Sequence, residues 1–330
     1  MGRNHHINRI APDTISTTLP QIFVFPSFPF HLFTPTHKKV TGITKSTTRH
    51  DEILKEVLGG DDDNQYSNRF ELRTAAVDKD SDENTNDDTI KINKKFKHCV
   101  FCAPPSGFDD YPSAIRGAID DLWMGQHTDD GSFIFTSSGG VYGIGGDSID
   151  AALITTESTP LPTNPIPRIG RIINAENEVL KEKGGSVMRL AGLYLLNRGA
   201  HNFWLGNTAE ETKDEIASRP DSLINLLHYE DAAGAVVAAL KHNINSRQEQ
   251  DDDEEKRGEI FLVSDGHPLT RQQICESSLK NKRYDGRTIP KFTGSKEKGD
   301  LIGKVYDGSY TNKVLNWKPR YESFDTFMSS

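Results

Sequence analysis

Three side chains in the C-terminal half of the chain have the chemistry of a ligand-binding wall. They are Arg198, His201 and Trp204, spaced three residues apart. A guanidinium binds carboxylates and phosphates and stacks on aromatic rings, so an arginine near a tryptophan suits a planar or anionic ligand. The alternative is a surface arginine beside a tryptophan that anchors a loop. Further along, His228 is either a base or a structural residue at the end of a strand.

Two cysteines, Cys99 and Cys102, have the CxxC spacing found in zinc and redox sites. They lie in an apolar run and no second ligand pair follows, so we interpret them as buried strand residues and predict no metal site. With Cys275 the chain has three cysteines, too few for a disulfide framework. This number is typical of a protein from a reducing compartment.

The composition narrows the class of protein. The chain has 330 residues, a net charge of −9 and only 35% hydrophobic residues, with a mean hydropathy of −0.60. We expect polar inserts near residues 61–95 and 244–258 to dilute an ordinary core, because both segments are rich in charged side chains. The acidic balance argues against a nucleic-acid surface. No apolar run is long enough to predict a membrane span.

The first 38 residues differ from the rest of the chain. Asp13 is their only acidic residue, and serine and threonine are frequent. This composition is compatible with a transit peptide, and the alternatives are a disordered extension or a mis-assembled gene start. We therefore expect a cytoplasmic or organellar protein.

From residue 39 onward, apolar strands alternate with helices, which is typical of a parallel sheet covered on both faces. Thr270 and Gln273 have the spacing of a capping box at the start of a further helix. The predicted strands cover residues 40–44, 99–103, 132–136, 186–190 and 259–263. The predicted helices cover residues 51–58, 113–124, 171–183 and 231–241.

Four short sequence motifs occur in an order that is typical of one enzyme family. Residues 135–143 read FTSSGGVYG, 157–160 read ESTP, 188–194 read MRLAGLY and 225–233 read NLLHYEDAA. In this order and spacing they resemble the NAD(P)-dependent epimerase/dehydratase branch of the short-chain dehydrogenases. The later LNWKPRY, at residues 315–321, is similar to the closing motif of that branch.

The resemblance implies an α/β fold with a Rossmann-type doubly wound parallel sheet and a small C-terminal substrate subdomain, over residues 39–330. It implies a nicotinamide dinucleotide, NADP or NAD, and a small-molecule substrate. Lys45 and Arg49 follow the second strand, where a basic group can meet a 2′-phosphate, so NADP is preferred. Ser138 takes the place of the catalytic serine, and the alternative is a hydroxyl that only satisfies backbone groups in the glycine-rich turn that follows. Tyr142 is a reserve acid or a tyrosine that packs below the cleft. The implied cofactor-binding residues are Thr44, Ala103, Pro104, Ser137, Ala191 and Gly192, and the implied substrate residues are Arg198, Trp204 and His228.

Two parts of the family pattern are missing. No glycine stands between Gly2 and Gly42, where a glycine-rich turn should approach the pyrophosphate. The first β-α unit is therefore expected to be incomplete or replaced, and we favour a substituted N-terminus. Aligning Glu176 with the family's helix puts Arg168 at the tyrosine position and Ile172 at the lysine position, and neither can do the proton transfer.

Two functions follow from these observations. The first is an NAD(P)-binding oxidoreductase or epimerase/dehydratase-like protein without the standard Tyr/Lys pair. The second is a non-catalytic nucleotide-sensing or scaffold protein on the same fold.

Overall fold

The structure is a computed structural model that describes residues 21–24, 40–44, 46–58, 70–74, 95–125, 131–143, 151–248 and 258–330. Its strands are β1 (Gln21–Val24), β2 (Val40–Thr44), β3 (Phe70–Thr74), β4 (His98–Phe101), β5 (Ser132–Ser138), β6 (Leu153–Thr155), β7 (Gly185–Leu190), β8 (Gly192–Tyr194), β9 (Glu215–Ile216), β10 (Leu223–Ile224), β11 (Leu226–His228), β12 (Glu259–Val263), β13 (Leu269–Thr270), β14 (Lys291–Phe292) and β15 (Lys304–Tyr306). Its α-helices are α1 (His50–Leu58), α2 (Tyr111–Leu122), α3 (Pro167–Leu180), α4 (Ala200–Leu205), α5 (Tyr229–Gln248), α6 (Arg271–Ser278), α7 (Ser309–Val314) and α8 (Phe324–Met328).

Seven strands form the main sheet in the spatial order β12-β7-β5-β4-β1-β2-β3. Every neighbouring pair is parallel. The chain winds outward in one direction from β1 to β3 and in the other from β4 to β12, which is the doubly wound order of Rossmann-type folds. The fold class predicted from the sequence is confirmed.

The core lies on both faces of this sheet because successive strand residues point to opposite sides. Cys99 and Phe101 of β4 face a layer that includes Ile115 of α2 and Val179 of α3. Val100, between them, faces the opposite layer, which includes the alanine-rich side of α5. The near-continuous apolar strands of the sequence are explained by this double burial.

The first strand lies inside the predicted N-terminal extension. Gln21–Val24 lies between β2 and β4 and pairs with both. The extension was predicted to run to residue 38, and these four residues of it form a strand between β2 and β4. Nearby prolines and the lack of a following glycine turn concealed the strand in the sequence. The other residues of 1–39 lie outside the described part.

Several element boundaries also differ from the prediction. Phe70–Thr74, inside the predicted insert, is the edge strand paired with β2. The remainder of that insert, up to residue 94, lies outside the described residues. Helix α5 starts two residues before its predicted start and continues to Gln248, into the second predicted insert. Residues 249–257 of that insert are likewise not described.

The C-terminal part has its own small core. It joins Tyr194, Trp204, Ile274, Phe324 and further apolar side chains beside the main sheet. The predicted capping box is confirmed: Thr270 Oγ1 accepts from the Gln273 N–H, and the Gln273 side chain accepts from the Thr270 N–H. Over the described ranges, no helix is long and apolar enough to cross a membrane.

Candidate functional site

A cleft of about 430 Å³ opens at the carboxyl ends of β4, β5 and β7. This edge of a parallel sheet is where open α/β folds bind ligands, and the volume lies in the range of small-molecule sites. Seven predicted site residues line it: Ala103, Pro104, Ser137, Ser138, Ala191, Gly192 and Arg198. Thr44, Tyr142, Trp204 and His228 are not among its described lining.

The wall after β4 is held by two hydrogen-bonded side chains. The Tyr111 hydroxyl, from the first turn of α2, donates to the Ala103 carbonyl at 2.7 Å. Arg171 Nη2, on α3, donates to the Phe108 carbonyl at 2.6 Å. Arg171 is therefore engaged in fixing the loop beside the cleft, and Ala103 and Pro104 present an apolar wall.

The turn after β5 carries Ser138, whose side chain is exposed and accepts from the Gly140 N–H at 3.1 Å. The Tyr306 ring packs against Gly139 so closely that a Cβ there would lie 2.4 Å from the Tyr306 hydroxyl. Glycine is thus required at position 139 for steric reasons. Lys304 Nζ donates to the Gly139 carbonyl at 3.2 Å and also to the Gly143 carbonyl. This turn, from Ser138 to Gly143, is called the serine turn below, and residues of β15 fix it in place.

Behind the serine turn lies a buried polar network. The Ser137 hydroxyl donates to Glu176 Oε1 at 2.5 Å, and Arg189 Nη2 donates to Glu176 Oε2 at 2.7 Å. The Arg189 and Glu176 side chains are 3% and 1% exposed, so this is a fully desolvated ion pair. Arg189 Nη1 also donates to the Tyr142 hydroxyl at 2.8 Å.

Tyr142 is thereby held away from the cleft. Burial raises the pKa of its phenol, and the Arg189 guanidinium opposes that rise. Its predicted role as a reserve acid stays a prediction, and its position favours packing behind the cleft.

Helix α3 presents two different side chains at the positions where the resemblance expects a Tyr/Lys pair. Ile172 is buried and lines the cleft with an apolar surface. Arg168 is exposed on the first turn and is not among the described lining. Neither position offers the cleft a proton.

The aromatic partner of Arg198 is Tyr229 rather than Trp204. Arg198 Cζ lies 5.0 Å from the centroid of the Tyr229 ring, and both residues line the cleft. Trp204 is buried, with the Arg271 guanidinium 5.6 Å from its ring. His201 is buried as well, and burial lowers its pKa to about 4. The predicted wall thus supplies one residue, Arg198, to the cleft.

His228 lies in an aromatic stack at the end of β11. Its ring centroid is 3.8 Å from that of Tyr321, and its Nδ1 accepts from the Glu230 N–H at 3.2 Å. Burial lowers the pKa of His228 to about 4, so the ring is neutral at pH 7. The structural alternative is therefore favoured over a catalytic base.

Thr44 ends β2, as the prediction requires for a residue at the ligand-binding edge. Its hydroxyl donates to the Ser46 carbonyl at 2.9 Å and lies 2.6 Å from His50 Nε2. These contacts order the turn into α1. A role in cofactor binding stays a prediction.

Cys99 and Cys102 were predicted to be buried strand residues rather than metal ligands. Within the described ranges, no group of three or more metal-ligating side chains occurs. Cys99 is buried in β4, whereas Cys102 follows that strand and is partly exposed at the cleft. Burial raises the pKa of both thiols.

Sequence reasoning missed Tyr229 as a cleft residue. It follows His228 directly and opens α5, so the pattern drew attention to its neighbour. An aromatic side chain at the step from a strand to a helix, on the ligand-binding edge, was the available signal.

No protein-family model matches the chain. The chain is 24% identical over 247 residues to the UDP-glucose 4-epimerase of Lactobacillus helveticus. This alignment covers 67% of this chain and 68% of that enzyme. The structure of dTDP-glucose 4,6-dehydratase from Bacillus anthracis, in complex with NAD, is similar with a TM-score of 0.61 at 14% identity, over 94% of each chain. The UDP-glucuronic acid 4-epimerase of Bacillus cereus, in complex with UDP-glucuronic acid and NAD, has a TM-score of 0.58 at 15% identity, over 88% of each chain.

These likenesses confirm the resemblance found in the sequence. The chain has the fold of the NAD-dependent epimerases and dehydratases, and it keeps that fold at low sequence identity.

Proposed function

We propose that the chain binds a nicotinamide dinucleotide at the cleft and acts as an oxidoreductase or epimerase/dehydratase-like protein. The observation that carries this proposal is the place of the cleft, at the carboxyl ends of the central strands of a doubly wound parallel sheet. The fold's relatives support it, since two of the similar structures were solved in complex with NAD.

The described lining fits the nicotinamide half of such a cofactor. Ala103, Pro104, Leu190 and Ala191 offer apolar surface to a flat ring, and no carboxylate belongs to the described lining. The residues that would meet the pyrophosphate follow β1 and lie outside the described part. The fit is therefore argued for the nicotinamide end alone.

In the proposed reaction the cofactor supplies the hydride chemistry, and the protein orients the substrate. A nicotinamide ring, when bound, donates or accepts a hydride. Ser138 is exposed at the cleft, and its hydroxyl suits the orientation of a carbonyl or alcohol oxygen of the substrate. Ile172, at the position that the resemblance assigns to the lysine, offers no proton, and the proposal therefore does not rely on a Tyr/Lys pair.

A binding titration tests the cofactor. NADPH and NADH are titrated against the full chain by fluorescence, and we expect saturation below millimolar cofactor. Ala103→Phe places a ring in the cleft and should weaken binding at least tenfold. The matched control, Ala217→Phe, adds the same ring at an exposed position outside the described lining and should bind as the wild type does. Absence of binding at millimolar cofactor would refute the proposal.

A preference for NADP belongs to the same proposal. Arg49 follows β2 and forms an exposed ion pair with Glu52, with Nε and Oε2 2.7 Å apart. Exposed pairs contribute little, so a 2′-phosphate can compete for this guanidinium. Lys45 lies outside the described residues. We expect Arg49→Met to weaken NADPH binding more than NADH binding. An unchanged NADPH/NADH affinity ratio would contradict the preference.

The second candidate is a nucleotide-sensing or scaffold protein, and Ile172 in the cleft is the observation that favours it. It predicts cofactor binding without turnover of any compound in a broad carbonyl panel. Turnover that Ser138→Ala abolishes would refute it.

A further inference from the structure

Four ionisable side chains belong to the described lining of the cleft: Cys102, Tyr111, Arg198 and Tyr229. Burial keeps the Cys102 thiol protonated by raising its pKa. The Tyr111 hydroxyl is committed to the Ala103 carbonyl at 2.7 Å. Arg198 and Tyr229 contact each other, and Arg198 carries the only charge in that described lining.

The backbone holds these two residues side by side. Strands β8 and β11 are parallel, and their last pair joins Tyr194 and His228. Tyr229 follows one strand immediately, and the turn of Arg198 follows the other. Reciprocal backbone hydrogen bonds of 2.9 and 3.2 Å close that turn between Leu195 and Arg198.

The next residue, Gly199, fixes the exit from the turn. Its φ is +130°, and an added Cβ would lie 3.1 Å from the His201 ring. A residue with a side chain is strained there. The position of Arg198 is thus determined by backbone geometry.

The contact between the two side chains has an electrostatic consequence. The guanidinium carbon lies 5.0 Å from the Tyr229 ring centroid, so the Arg198 charge lies beside the phenol ring. Burial raises the pKa of Tyr229, and the Arg198 charge opposes that rise. A cation beside a phenol is the same electrostatic device as the Tyr/Lys pair that α3 lacks.

We infer that Tyr229 is the catalytic proton donor of the cleft, and that Arg198 is the positioning residue that stabilises its phenolate. This inference rests on the proposed function. It assigns proton transfer to Tyr229 and orientation of the substrate oxygen to Ser138, and both residues line the same cleft.

The proposed step adds a hydride and a proton to a substrate carbonyl. With a reduced nicotinamide dinucleotide bound, the carbonyl carbon would accept a hydride with its two electrons, which would leave the dinucleotide oxidised. The O–H bond of Tyr229 breaks, and its proton goes to the substrate oxygen, so that the carbonyl becomes an alcohol. The phenolate, paired with Arg198, then takes a proton from water. In the opposite direction Tyr229 accepts the alcohol proton.

A titration of a single labelled phenol tests the pair. The full chain is prepared with 3,5-difluorotyrosine in place of Tyr229, and its pKa is read by fluorine NMR in the wild-type background, in Arg198→Met and in Arg168→Met. Fluorination lowers the phenol pKa into a range where the protein is folded. Arg168→Met is the matched control, since it removes the same charge from an exposed position outside the described lining.

We expect Arg198→Met to raise the pKa of the labelled phenol by about one unit or more, as loss of an adjacent opposite charge does. Arg168→Met should leave it within about 0.2 units, because the charge of an exposed side chain outside the described lining is screened by solvent and salt. Equal pKa values in the wild-type and Arg198→Met backgrounds would overturn the inference. The same samples are titrated with NADPH: failure to bind it refutes the proposed function alone, whereas binding with no response to Arg198→Met refutes the inference alone.

Turnover supplies the second measurement. With a carbonyl compound that the cofactor-loaded wild type reduces, Tyr229→Phe should lower kcat about 10²- to 10⁴-fold, the contribution of general acid catalysis. The affinity for NADPH should change less than threefold. Wild-type kcat in Tyr229→Phe would overturn the proton-donor role.

Discussion

The pairs Arg189–Tyr142 and Arg198–Tyr229 have similar distances between the guanidinium and the tyrosine ring. Arg189 Cζ lies 4.8 Å from the Tyr142 ring centroid, and Arg198 Cζ lies 5.0 Å from that of Tyr229. Their surroundings differ. Arg189 is buried against the Glu176 carboxylate, whereas Arg198 is exposed at a cleft whose described lining contains no carboxylate.

The difference shows what a third group does to such a pair. Glu176 neutralises Arg189, so the charge serves the packing of α3 against β7 and orders Ser137 from behind. Arg198 has no carboxylate in the cleft lining, so its charge is available to a phenolate or an anionic ligand. The same two residue types therefore support structure in one place and, by the inference above, chemistry in the other.

The strongest test of this comparison removes the carboxylate. Glu176→Gln leaves the Arg189 charge buried without its counterion, and we expect the free energy of unfolding to fall by about 3–5 kcal/mol. Denaturant unfolding measures it. Glu178→Gln, on the same helix, breaks only a partly exposed pair with Lys181 and should cost about 0–1 kcal/mol. Equal losses in the two variants would show that the buried pair is not the structural one.

Removal of the Tyr142 hydroxyl is the next test. In Tyr142→Phe the buried Arg189 Nη1 loses its acceptor, and we expect a loss of about 1–3 kcal/mol in unfolding free energy. Tyr310 is 42% exposed, and Tyr310→Phe should change stability by less than about 0.5 kcal/mol. Equal changes in unfolding free energy in Tyr142→Phe and Tyr310→Phe would show that Arg189 does not need the Tyr142 hydroxyl. The contrast between Tyr142 and Tyr229 would then be lost.

The buried pair also has a cationic neighbour whose effect depends on pH. Burial lowers the pKa of Lys304 from 10.5 to about 8, and its Nζ lies 5.8 Å from the Tyr142 ring centroid. Between these two pH values the unfolded chain holds more protons, so stability rises with pH, by up to about 1.4 kcal/mol per unit. Stability is lowest with respect to this group below pH 8, where the buried amine is charged.

Lys304→Met should therefore flatten the rise in unfolding free energy between pH 8 and pH 10.5, as followed by urea unfolding at several pH values. Lys291 is 73% exposed in its ion pair with Glu215, and Lys291→Met should keep the wild-type slope. A slope unchanged by Lys304→Met would mean that the amine stays charged in the folded protein throughout this range.

The smallest effect is expected at the cleft. Arg198→Met removes an exposed charge, and we expect a change in unfolding free energy within about 0.5 kcal/mol. A loss of several kcal/mol, measured by denaturant unfolding, would show that Arg198 is as structural as Arg189, and the distinction between the two pairs would fail.

Much of the fold could be predicted because it depends on local patterns. The strands Val40–Thr44 and Glu259–Val263 have the bounds that their apolar runs indicate, and the Thr270 capping box forms as its spacing predicts. Gln21–Val24 could not be found in this way. Its place in the sheet is decided by pairing with strands that are distant in the sequence, and four residues among prolines give no periodic signal.

The site was predictable in part for a similar reason. Ser138 and the residues that end β4 and β7 line the cleft because strand ends share one edge of a parallel sheet. The aromatic partner of Arg198 could not be predicted from the sequence, because Trp204 and Tyr229 are both candidates. The pairing of β8 with β11 brings Tyr229 next to Arg198.

The contacts that Lys304 and Tyr306 make with the serine turn have a consequence for folding order. Lys304 donates to the Gly139 carbonyl across 165 positions of the chain. Contacts of such separation form late, because the entropy of closing a long loop must be overcome first. During synthesis, β4, β5 and β7 can pair while the segment that contains β15 is still missing. The sheet can therefore assemble before the turn that carries Ser138 is fixed, and the cleft is complete only after the distal chain has docked.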